Sequence, residues 1–572
     1  MKYYLVLVPF LLVMLVIQSV SAVPGDIVWQ QTRGGPAGEE WGYSLDSYPD
    51  GGVVVTGIAY STDANVTGSR GNGDLWVVRL DSSGNQIWNR AYGGNESEYG
   101  LSVKSCLDGG SVIVGTTGSH SGDINGYHGN GDLWFLRLSA SGDLLMQKVY
   151  AGNQTDEGGD ILQTTDGGYV ITGYTMSDDG DASGHHGGGD LWMIRLDQNG
   201  TMLWQKAMGG SKRDSGSSII QTSDGGFAMT GNSYSSDGDV TANHGSSDLW
   251  VLKTDAGGNL LWQKTFGGSK LDWGHSLVEL PGGDLVVTGV TASSDGEVSM
   301  NHGAGDIWVI RLTSAGEKVW EKTYGGSFSD NVWKMVPSSN DGVYLSGESF
   351  SVDGDFSGNH GDADLWVAEI DGNGTLLWYR MLGGQYYESG SWLTRMPDGN
   401  VTVCGTTRSS DGDVLGSRGE GDLWIVKVDT SGVVLPAKSL QSSTFLTPVT
   451  AAPIQKDEVN ITNITPVDTG FNANTSSLSG TTGSEQNATP GGVTTPVLLP
   501  LPGQNLTPTD PDSDGKYEDM NGNGKIDMQD SSLFFSSYDW ITVNYPPAVS
   551  DFNGNGVVDF GDIQSLFEEV ST

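Results

Sequence analysis

The chain has 572 residues, with 28 Lys or Arg against 70 Asp or Glu, so its formal net charge is −42. A charge of this size disfavours nucleic acid and anionic lipid as partners, because both would repel the protein. Glycine (87 residues) and tryptophan (18) are abundant, which favours short strands and tight turns over helices. Two cysteines cannot form a disulfide framework, and a chain of this length exceeds what a single core usually supports.

The N-terminus indicates an exported protein. Lys2 precedes an apolar run from Leu5 to Ile17, and small residues follow up to Ala22. This pattern predicts a secretory signal peptide over residues 1–22, with an uncleaved N-terminal anchor as the alternative. No other segment approaches the ~20 apolar residues that a membrane span needs. We therefore expect an extracellular or cell-surface protein without a membrane span after signal cleavage.

A triplet Asp-(Leu/Ile)-Trp recurs every 58 residues. Its seven copies begin at Asp74, Asp132, Asp190, Asp248, Asp306, Asp364 and Asp422. Around each triplet the sequence reads as four short strands separated by Gly-rich and Asp-rich turns, which is typical of one propeller blade. Seven units predict an all-β seven-bladed β-propeller over residues 23–440. A β-helix is the competing fold, but 58 residues per coil is too long and the Asp-Gly-Gly turns indicate antiparallel hairpins.

The recurring strand pair DLWxxxLDxxGxxxWxxxxGG resembles the Trp repeats of quinoprotein-type and WD-like propellers. The resemblance implies that the triplet opens the third strand of each blade and that the next Trp lies in the outer strand. Thirteen tryptophans occupy these two positions and are predicted to be core residues. Outer-strand segments occur eight times and inner strands seven times. Because Pro436 disrupts the last candidate, we expect Ile27–Arg33 to close the final blade against Asp422–Asp429.

Several polar residues recur at the same position of each repeat. One such set precedes the triplet and consists of Arg70, His128, His186, His244, His302, His360 and Arg418. Together with the triplet Asp, this set predicts a hydrogen-bond network in every blade, comparable to the Asp–His–Trp network of WD repeats. Only His120, His185 and His275 remain, which disfavours a His-based triad or a zinc site. Cys106 and Cys404 are predicted to be two unpaired, buried thiols.

Two acidic rings are predicted on one face of the propeller. The first precedes the inner strands and consists of Glu40, Glu98, Asp156, Asp214, Asp272, Asp330 and Glu388. The second lies between the second and third strands and consists of Asp123, Asp181, Asp239, Glu297, Asp355 and Asp413, with Asn65 as the exception. The carboxylates have two interpretations: they accept turn N–H groups and join blades, or they hold cations or a ligand rich in hydroxyls.

Residues that break the sevenfold symmetry are the candidates for specific binding. Aromatic side chains beside carboxylates suit a sugar, whose ring stacks on an aromatic face while its hydroxyls bind at the edges. Isolated surface aromatics packed on neighbouring loops are the alternative. The candidate ligand-binding residues are Glu40, Trp41, Glu98, Tyr99, Asp272, Trp273, Tyr386 and Tyr387. No catalytic residue is assigned, because too many acids are equivalent.

The composition changes after the propeller. Residues 441–509 are rich in Thr, Ser, Pro and Asn and predict a flexible linker. Residues 510–572 contain two EF-hand-type loops, in which oxygen ligands alternate around a sharp Gly turn, as Ca²⁺ requires. The ligands of the first loop are Asp519, Asn521, Asn523, Lys525 through its carbonyl, Asp527 and Asp530. Those of the second are Asp551, Asn553, Asn555, Val557 through its carbonyl, Asp559 and Asp562.

A short amphipathic helix is predicted after each loop. The duplicated loop–helix unit resembles a dockerin, in particular the dockerin-like tails of archaeal surface proteins. The resemblance implies a small α-helical calcium-binding module that docks to a cohesin-like protein or a cell-envelope component. The sequence thus predicts a secreted, calcium-dependent binding protein whose propeller recognises a glycan or a protein. The alternative is a carbohydrate-active hydrolase or lyase, with polysaccharide at the propeller face in either case.

Overall fold

The computed structural model describes residues 25–430, apart from 36–37, 62–65, 340 and 418–420. These residues form 28 strands arranged as seven four-stranded antiparallel sheets. Within this region there is no helix, and hence none that could cross a membrane. The predicted signal peptide (1–22), the linker (441–509) and the calcium module (510–572) lie outside the described residues.

Each sheet is one blade, and its strands occupy equivalent positions in the seven repeats. The inner strands are β2 (Glu40–Ser47), β6 (Glu98–Ser105), β10 (Asp156–Gln163), β14 (Asp214–Gln221), β18 (Asp272–Glu279), β22 (Asp330–Pro337) and β26 (Trp392–Arg395). The second strands are β3 (Val53–Ala59), β7 (Ser111–Thr117), β11 (Tyr169–Thr175), β15 (Phe227–Ser233), β19 (Leu285–Thr291), β23 (Val343–Ser349) and β27 (Val401–Thr407). Inner strands of adjacent blades contact one another and surround the central channel.

The remaining strands complete the blades outward. The third strands are β4 (Asp74–Leu80), β8 (Asp132–Leu138), β12 (Asp190–Leu196), β16 (Asp248–Thr254), β20 (Asp306–Leu312), β24 (Asp364–Ile370) and β28 (Asp422–Val428). The outer strands are β5 (Gln86–Tyr92), β9 (Leu144–Tyr150), β13 (Met202–Met208), β17 (Leu260–Phe266), β21 (Lys318–Tyr324), β25 (Leu376–Leu382) and β1 (Ile27–Arg33). The triplet lies at the start of the third strand in each of the seven blades, as predicted.

Local turn chemistry explains the hairpins. In the third blade, the Gly167 N–H donates to the Thr164 carbonyl at 2.9 Å, and the Asp166 carboxylate accepts the Gly168 N–H at 3.2 Å. Gly167 has φ of 84°, a left-handed conformation that favours glycine. The Asp-Gly-Gly segment is therefore a tight turn between the inner and second strands, as expected.

The final blade combines the two ends of the propeller. Strand β1 pairs antiparallel with β28, from Ile27 opposite Val428 to Arg33 opposite Leu423. The Trp424 indole N–H also donates to the Gln30 side chain at 3.0 Å. The predicted closure by the N-terminal strand is therefore confirmed.

The triplet tryptophans form the core of every blade and are at most 2% exposed. The outer-strand tryptophans differ from the expectation, because only Trp378 is buried and the others are partly exposed. Each partly exposed ring braces the next blade: Trp262 lies against Gly316 and donates its indole N–H to the Ser314 carbonyl at 3.2 Å. Cys106 and Cys404 are buried and unpaired, as predicted.

Candidate functional site

The first acidic ring lies inside the junctions between blades. All seven side chains have no exposed surface. In the second blade, the Glu98 carboxylate accepts the Gly94 N–H at 2.8 Å and the Thr117 hydroxyl at 2.9 Å. In the sixth blade, Asp330 accepts the Gly326 N–H at 2.7 Å in the same way. These acids therefore anchor the loop that precedes each inner strand. This agrees with the interpretation in which the carboxylates accept turn N–H groups and join blades.

Burial changes the acidity of this ring. It raises the pKa of Glu40 and Glu388 to about 7 and that of Asp272 and Asp330 to about 6, although the hydrogen bonds that these carboxylates accept act in the opposite direction. The triplet Asp of the preceding blade adds a further upward contribution. Glu40, Glu98 and Asp272 were expected at a ligand surface; the structure places them where a ligand cannot reach them.

In the six blades where the structure describes both residues, the triplet Asp binds the residue four positions earlier, as predicted; Arg418 lies outside the described residues. The rings of His186, His244 and His302 lie 2.5–2.6 Å from the Asp carboxylate through Nδ1, and the ring of His360 is bonded in the same way. His128 binds Asp132 only through its backbone N–H, at 2.6 Å. The triplet Trp differs from the WD pattern, because in most blades its indole N–H donates to an outer-strand amide or acid, as Trp192 does to Gln205 at 3.0 Å.

The second acidic ring fastens one loop to another. The Asp181 carboxylate accepts the Ala151 N–H at 3.3 Å, and the Asp181 N–H donates to the Ala151 carbonyl at 2.9 Å. Asp123 pairs with Arg70, and Asp413 with Arg380 at 3.3 Å. No cluster of three or more His, Cys, Asp or Glu suited to a metal ion occurs in the part of the chain that the structure describes.

The unphased aromatics divide into buried and exposed groups. Trp41, Trp273 and Tyr387 are only 7%, 5% and 4% exposed, Tyr99 is half-buried, and Tyr386 is 49% exposed. The expectation that both tryptophans offer their faces to a sugar is revised accordingly.

Trp41 shows why such a ring is inaccessible. Its indole N–H donates to Glu39 at 2.9 Å, and Arg408, which pairs with Glu39 at 2.7 Å, lies over the ring at 6.0 Å. This Glu–Trp–Arg unit packs the first blade against the last. Trp41 is therefore a bracing residue rather than an open platform.

Exposed side chains occupy one equivalent position in six blades, two residues before the first-ring acid. We call this set the display ring; it consists of Glu96, Gln154, Lys212, Lys270, Phe328 and Tyr386, all exposed. In each case a serine two residues after the second strand accepts the backbone N–H of the display residue, over 2.8–3.1 Å. The backbone is thus held identically while the side chain differs.

The same serines connect the display ring to the buried acids. Ser351 accepts the Phe328 N–H at 3.1 Å and donates its hydroxyl to Asp330 at 2.8 Å. Ser293 joins Lys270 to Asp272 in the same manner, at 3.0 and 2.8 Å. The sequence indicates Phe328 and Tyr386 as aromatic residues near the first ring, but the full set becomes apparent only when the varying residue two positions before each first-ring acid is compared.

A second departure from symmetry crosses the central channel. The fifth residue of the inner strand, or its equivalent in the last blade, is Ser44, Ser102, Asp160, Ser218, Ser276, Lys334 or Trp392. The Lys334 ammonium lies 3.5 Å from Asp160, on a blade three positions away around the ring, and 3.9 Å from the centre of the Trp392 ring. Ser102 donates to Asp160 at 2.7 Å. This buried ion pair was not anticipated.

The pKa values of both Asp160 and Lys334 are shifted in this buried site. Burial would raise the pKa of Asp160, but the ammonium groups of Lys334 and Lys104 and the Ser102 hydroxyl hold it below its usual value. Burial lowers the pKa of Lys334 to about 8, against the opposing effect of Asp160. The carboxylate and the ammonium therefore stabilise each other's charged form in a site with little water.

No known protein family matches this sequence, and no curated protein matches it either. Solved structures with a similar fold include a catalytically inactive virginiamycin B lyase from Staphylococcus aureus with Quinupristin (10% identity, TM-score 0.40, 70% of this chain and 98% of that chain). Others are the phage phi92 endosialidase (13%, 0.38, 77% and 77%) and the Neurospora crassa Pan2 WD40 domain (9%, 0.37, 68% and 95%). Similarity at this level concerns the fold, which the strand pairing establishes independently.

Proposed function

We propose that the propeller is a glycan-binding platform whose recognition surface is the display ring. The observation that carries the proposal is the combination of an identically held backbone and different exposed side chains in six blades. A rigid loop loses little conformational freedom on binding, so affinity depends mainly on the side chain that it presents. Repeated loops that served only to connect strands would not need this variety.

The identity of the displayed residues favours a sugar. Phe328 and Tyr386, in adjacent blades, are 40% and 49% exposed and offer apolar faces for stacking. Lys212 and Lys270, in the two blades before them, supply hydrogen-bond donors. A ligand that spans several blades would meet donors first and aromatic faces next, and an extended polysaccharide has the length to do so.

The rest of the proposed role concerns segments outside the described residues. A signal peptide over residues 1–22 would export the protein, and the two loops of residues 510–572 would bind Ca²⁺ through the twelve ligands given above. The dockerin-like module would then attach the propeller to a cohesin-like protein or a cell-envelope component at the cell surface. In this arrangement the tail fixes the location and the propeller selects the glycan.

A carbohydrate-active hydrolase or lyase is the second candidate, and one residue favours it. Glu348 is an acid without a counterpart in the other blades, and its burial raises its pKa to about 7 against the hydrogen bonds from Asn331 (2.9 Å) and Trp333 (2.6 Å). A carboxyl group that is protonated near neutrality suits a general acid. Glu348 is only 3% exposed and both its oxygens are occupied, which places this candidate second.

A glycan array probed with the full chain tests the platform, followed by calorimetry on any polysaccharide that binds. We expect Phe328→Ala combined with Tyr386→Ala to weaken binding at least ~10-fold, since each lost stacking contact is worth about 1 kcal/mol or more. Leu107→Ala is the matched control, because Leu107 is 96% exposed in a turn at the opposite end of the blade.

The outcomes separate the two candidates. Equal affinity of the double variant and the parent protein would contradict the display ring as the binding surface. Release of reducing ends or unsaturated products from a bound polysaccharide, abolished by Glu348→Gln, would replace the binding role by catalysis.

A further inference from the structure

One oxygen of the triplet Asp is buried and has no hydrogen-bond donor in six of the seven blades. The atom is Oδ1 of Asp74, Asp132, Asp190, Asp248, Asp306 and Asp364. The other oxygen, Oδ2, is well served: in the fifth blade it accepts the backbone N–H of His302 at 2.8 Å and lies 2.5 Å from the His302 ring. A buried carboxylate oxygen without a partner carries a large free-energy cost, so its repetition requires an explanation.

In five of these six junctions, a glycine lies beside both the orphan oxygen and a first-ring acid of the next blade, and in the sixth Asp156 acts electrostatically on Asp132. A methyl group placed on Gly325 would lie 2.7 Å from Asp306 Oδ1 and 2.8 Å from Asp330 Oδ2. At the equivalent Gly267, the distances are 2.6 Å to Asp248 Oδ1 and 2.7 Å to Asp272 Oδ2. In the junctions that contain a glycine, two carboxyl groups therefore border the same small space, and neither is exposed to solvent.

Two ionised carboxylates cannot share such a space without compensation, since their repulsion is strong in a medium of low dielectric constant. A bound cation or a shared proton would remove the repulsion between the two carboxylates. A divalent cation needs six or more oxygen ligands, whereas only two carboxyl groups meet here. In addition, Asp330 Oδ2 already accepts the Gly326 N–H at 2.7 Å and the Ser351 hydroxyl at 2.8 Å. An oxygen that already accepts two donors is a poor ligand for a cation, but it can still accept the O–H hydrogen of a protonated Asp306 carboxyl group.

We propose that each blade junction holds one proton, shared between Oδ1 of the triplet Asp and the first-ring carboxylate of the next blade. The proton converts the repulsion into an O–H···O⁻ hydrogen bond and satisfies the orphan oxygen. The proposed pairs are Asp74 with Glu98, Asp132 with Asp156, Asp190 with Asp214, Asp248 with Asp272, Asp306 with Asp330, and Asp364 with Glu388. The propeller would then carry a set of equivalent proton-binding sites, independent of any ligand at its surface.

The charged groups around one pair are few. Asp306 faces the His302 ring, and the Asp355 carboxylate also acts on it from the following loop. Asp330 faces only neutral donors, namely Gly326 N–H, Ser349 and Ser351, besides Asp306 itself.

The expected sign of the pH effect follows from linkage. Burial raises the pKa of both partners, with Asp330 and Asp272 at about 6 in the folded protein. Unfolded Asp titrates near 3.9, so the contribution to stability is fully present below about pH 4. It is lost as the pH rises through 6. The propeller should therefore be more stable at pH 5 than at pH 8.

An isosteric substitution tests the shared proton directly. In a full-length variant with Asp190→Asn, Asp248→Asn and Asp306→Asn, an amide N–H replaces the proton at every pH. We expect its melting temperature to fall by less between pH 5 and pH 8 than that of the parent protein, and to equal or exceed the parent's at pH 8. The matched control, with Asp214→Asn, Asp272→Asn and Asp330→Asn, loses an acceptor for loop N–H groups and should melt several degrees lower at both pH values.

Two results would overturn the proposal. The first is a triple Asn variant that is destabilised more at pH 8 than at pH 5. The second is a metal ion, tested as CaCl2 against a chelator at pH 8, that raises the propeller transition of the parent protein but not that of the variant. If the variant does not fold, infrared spectroscopy of the parent protein provides the readout. Buried protonated carboxyl groups must lose their carbonyl band between pH 5 and pH 8 while the fold persists; a band that does not change with pH contradicts the proposal.

Discussion

The blade junctions and the display ring lie at the same end of the propeller, but they differ in sequence. The junction residues are nearly identical in all blades, whereas the display residues vary. In the junctions, every blade carries the triplet Asp, a first-ring acid and a glycine or alanine between them. In the display ring, six equivalent positions carry five residue types. Both regions have the same backbone geometry, so the difference lies in what each side chain is required to do.

This contrast offers a rule for internal repeats. A residue that is repeated because it holds neighbours together is buried and has its hydrogen bonds within the protein. A residue that varies on an unchanged backbone is not needed to hold neighbouring blades together. Acidic residues are therefore poor guides to the binding surface of this protein, although they dominate its composition, and the serines that join the two regions give a means to test the distinction.

The largest effect is expected from removing the strand that closes the ring. Deletion of Ile27–Arg33 leaves β28 as an open edge and removes the partly buried Trp29 from the final blade. We expect the thermal midpoint to fall by about 10 °C or more, since several kcal/mol of packing and pairing are lost. Deletion of residues 433–440 is the control, and an equal loss there would show that the ring does not depend on β1.

The cross-channel ion pair should rank second. Lys334→Met leaves the Asp160 carboxylate buried without its cation, which costs about 3–5 kcal/mol. Adding Asp160→Leu should recover most of this loss, because two apolar groups replace two charges. Denaturant unfolding of the single and double variants measures the coupling, and additive losses would mean that the two residues act independently.

A smaller effect should follow from cutting the link between a junction and the display ring. Ser351→Ala removes the acceptor of the Phe328 N–H and a donor to Asp330, and should cost about 1–2 kcal/mol. Glycan affinity should fall as well, although Ser351 is fully buried. Ser82→Ala, in an exposed turn, is the control. Unchanged affinity with reduced stability would show that the display residue keeps its position without the serine.

Much of the fold follows from the sequence because the period of 58 residues repeats without an insertion. Strand order, the Asp-Gly-Gly turns and the closure by Ile27–Arg33 depend on local patterns and on counting strands. The predicted binding residues depend on neighbours far along the chain. Trp41 is covered by residues far along the chain: it packs with Ala363 and Tyr387, and Arg408, paired with Glu39 across 369 positions, lies over its ring.

The ion pair between Asp160 and Lys334 could not be predicted for the same reason. Asp160 and Lys334 are 174 positions apart, and each replaces a serine at the equivalent position of its own strand. The pattern of a single strand cannot reveal a contact across the channel. Two residues on non-adjacent blades come together only when the seven blades close into a ring. The exposed fraction of the outer-strand tryptophans was equally out of reach, since it depends on the next blade.

The closure by β1 also has a consequence for biosynthesis. Strand β1 is synthesised first among the propeller strands but cannot pair until β28 has been synthesised, since Gln30 and its partner Trp424 are 394 positions apart. Until that point, six complete blades and a three-stranded seventh present an unpaired edge on one side and a loose N-terminal segment on the other. A chain that stops before β28 therefore cannot cover its own edge, and the joined final blade distinguishes a chain translated beyond Val428 from a shorter one for any protease or chaperone that binds open strands.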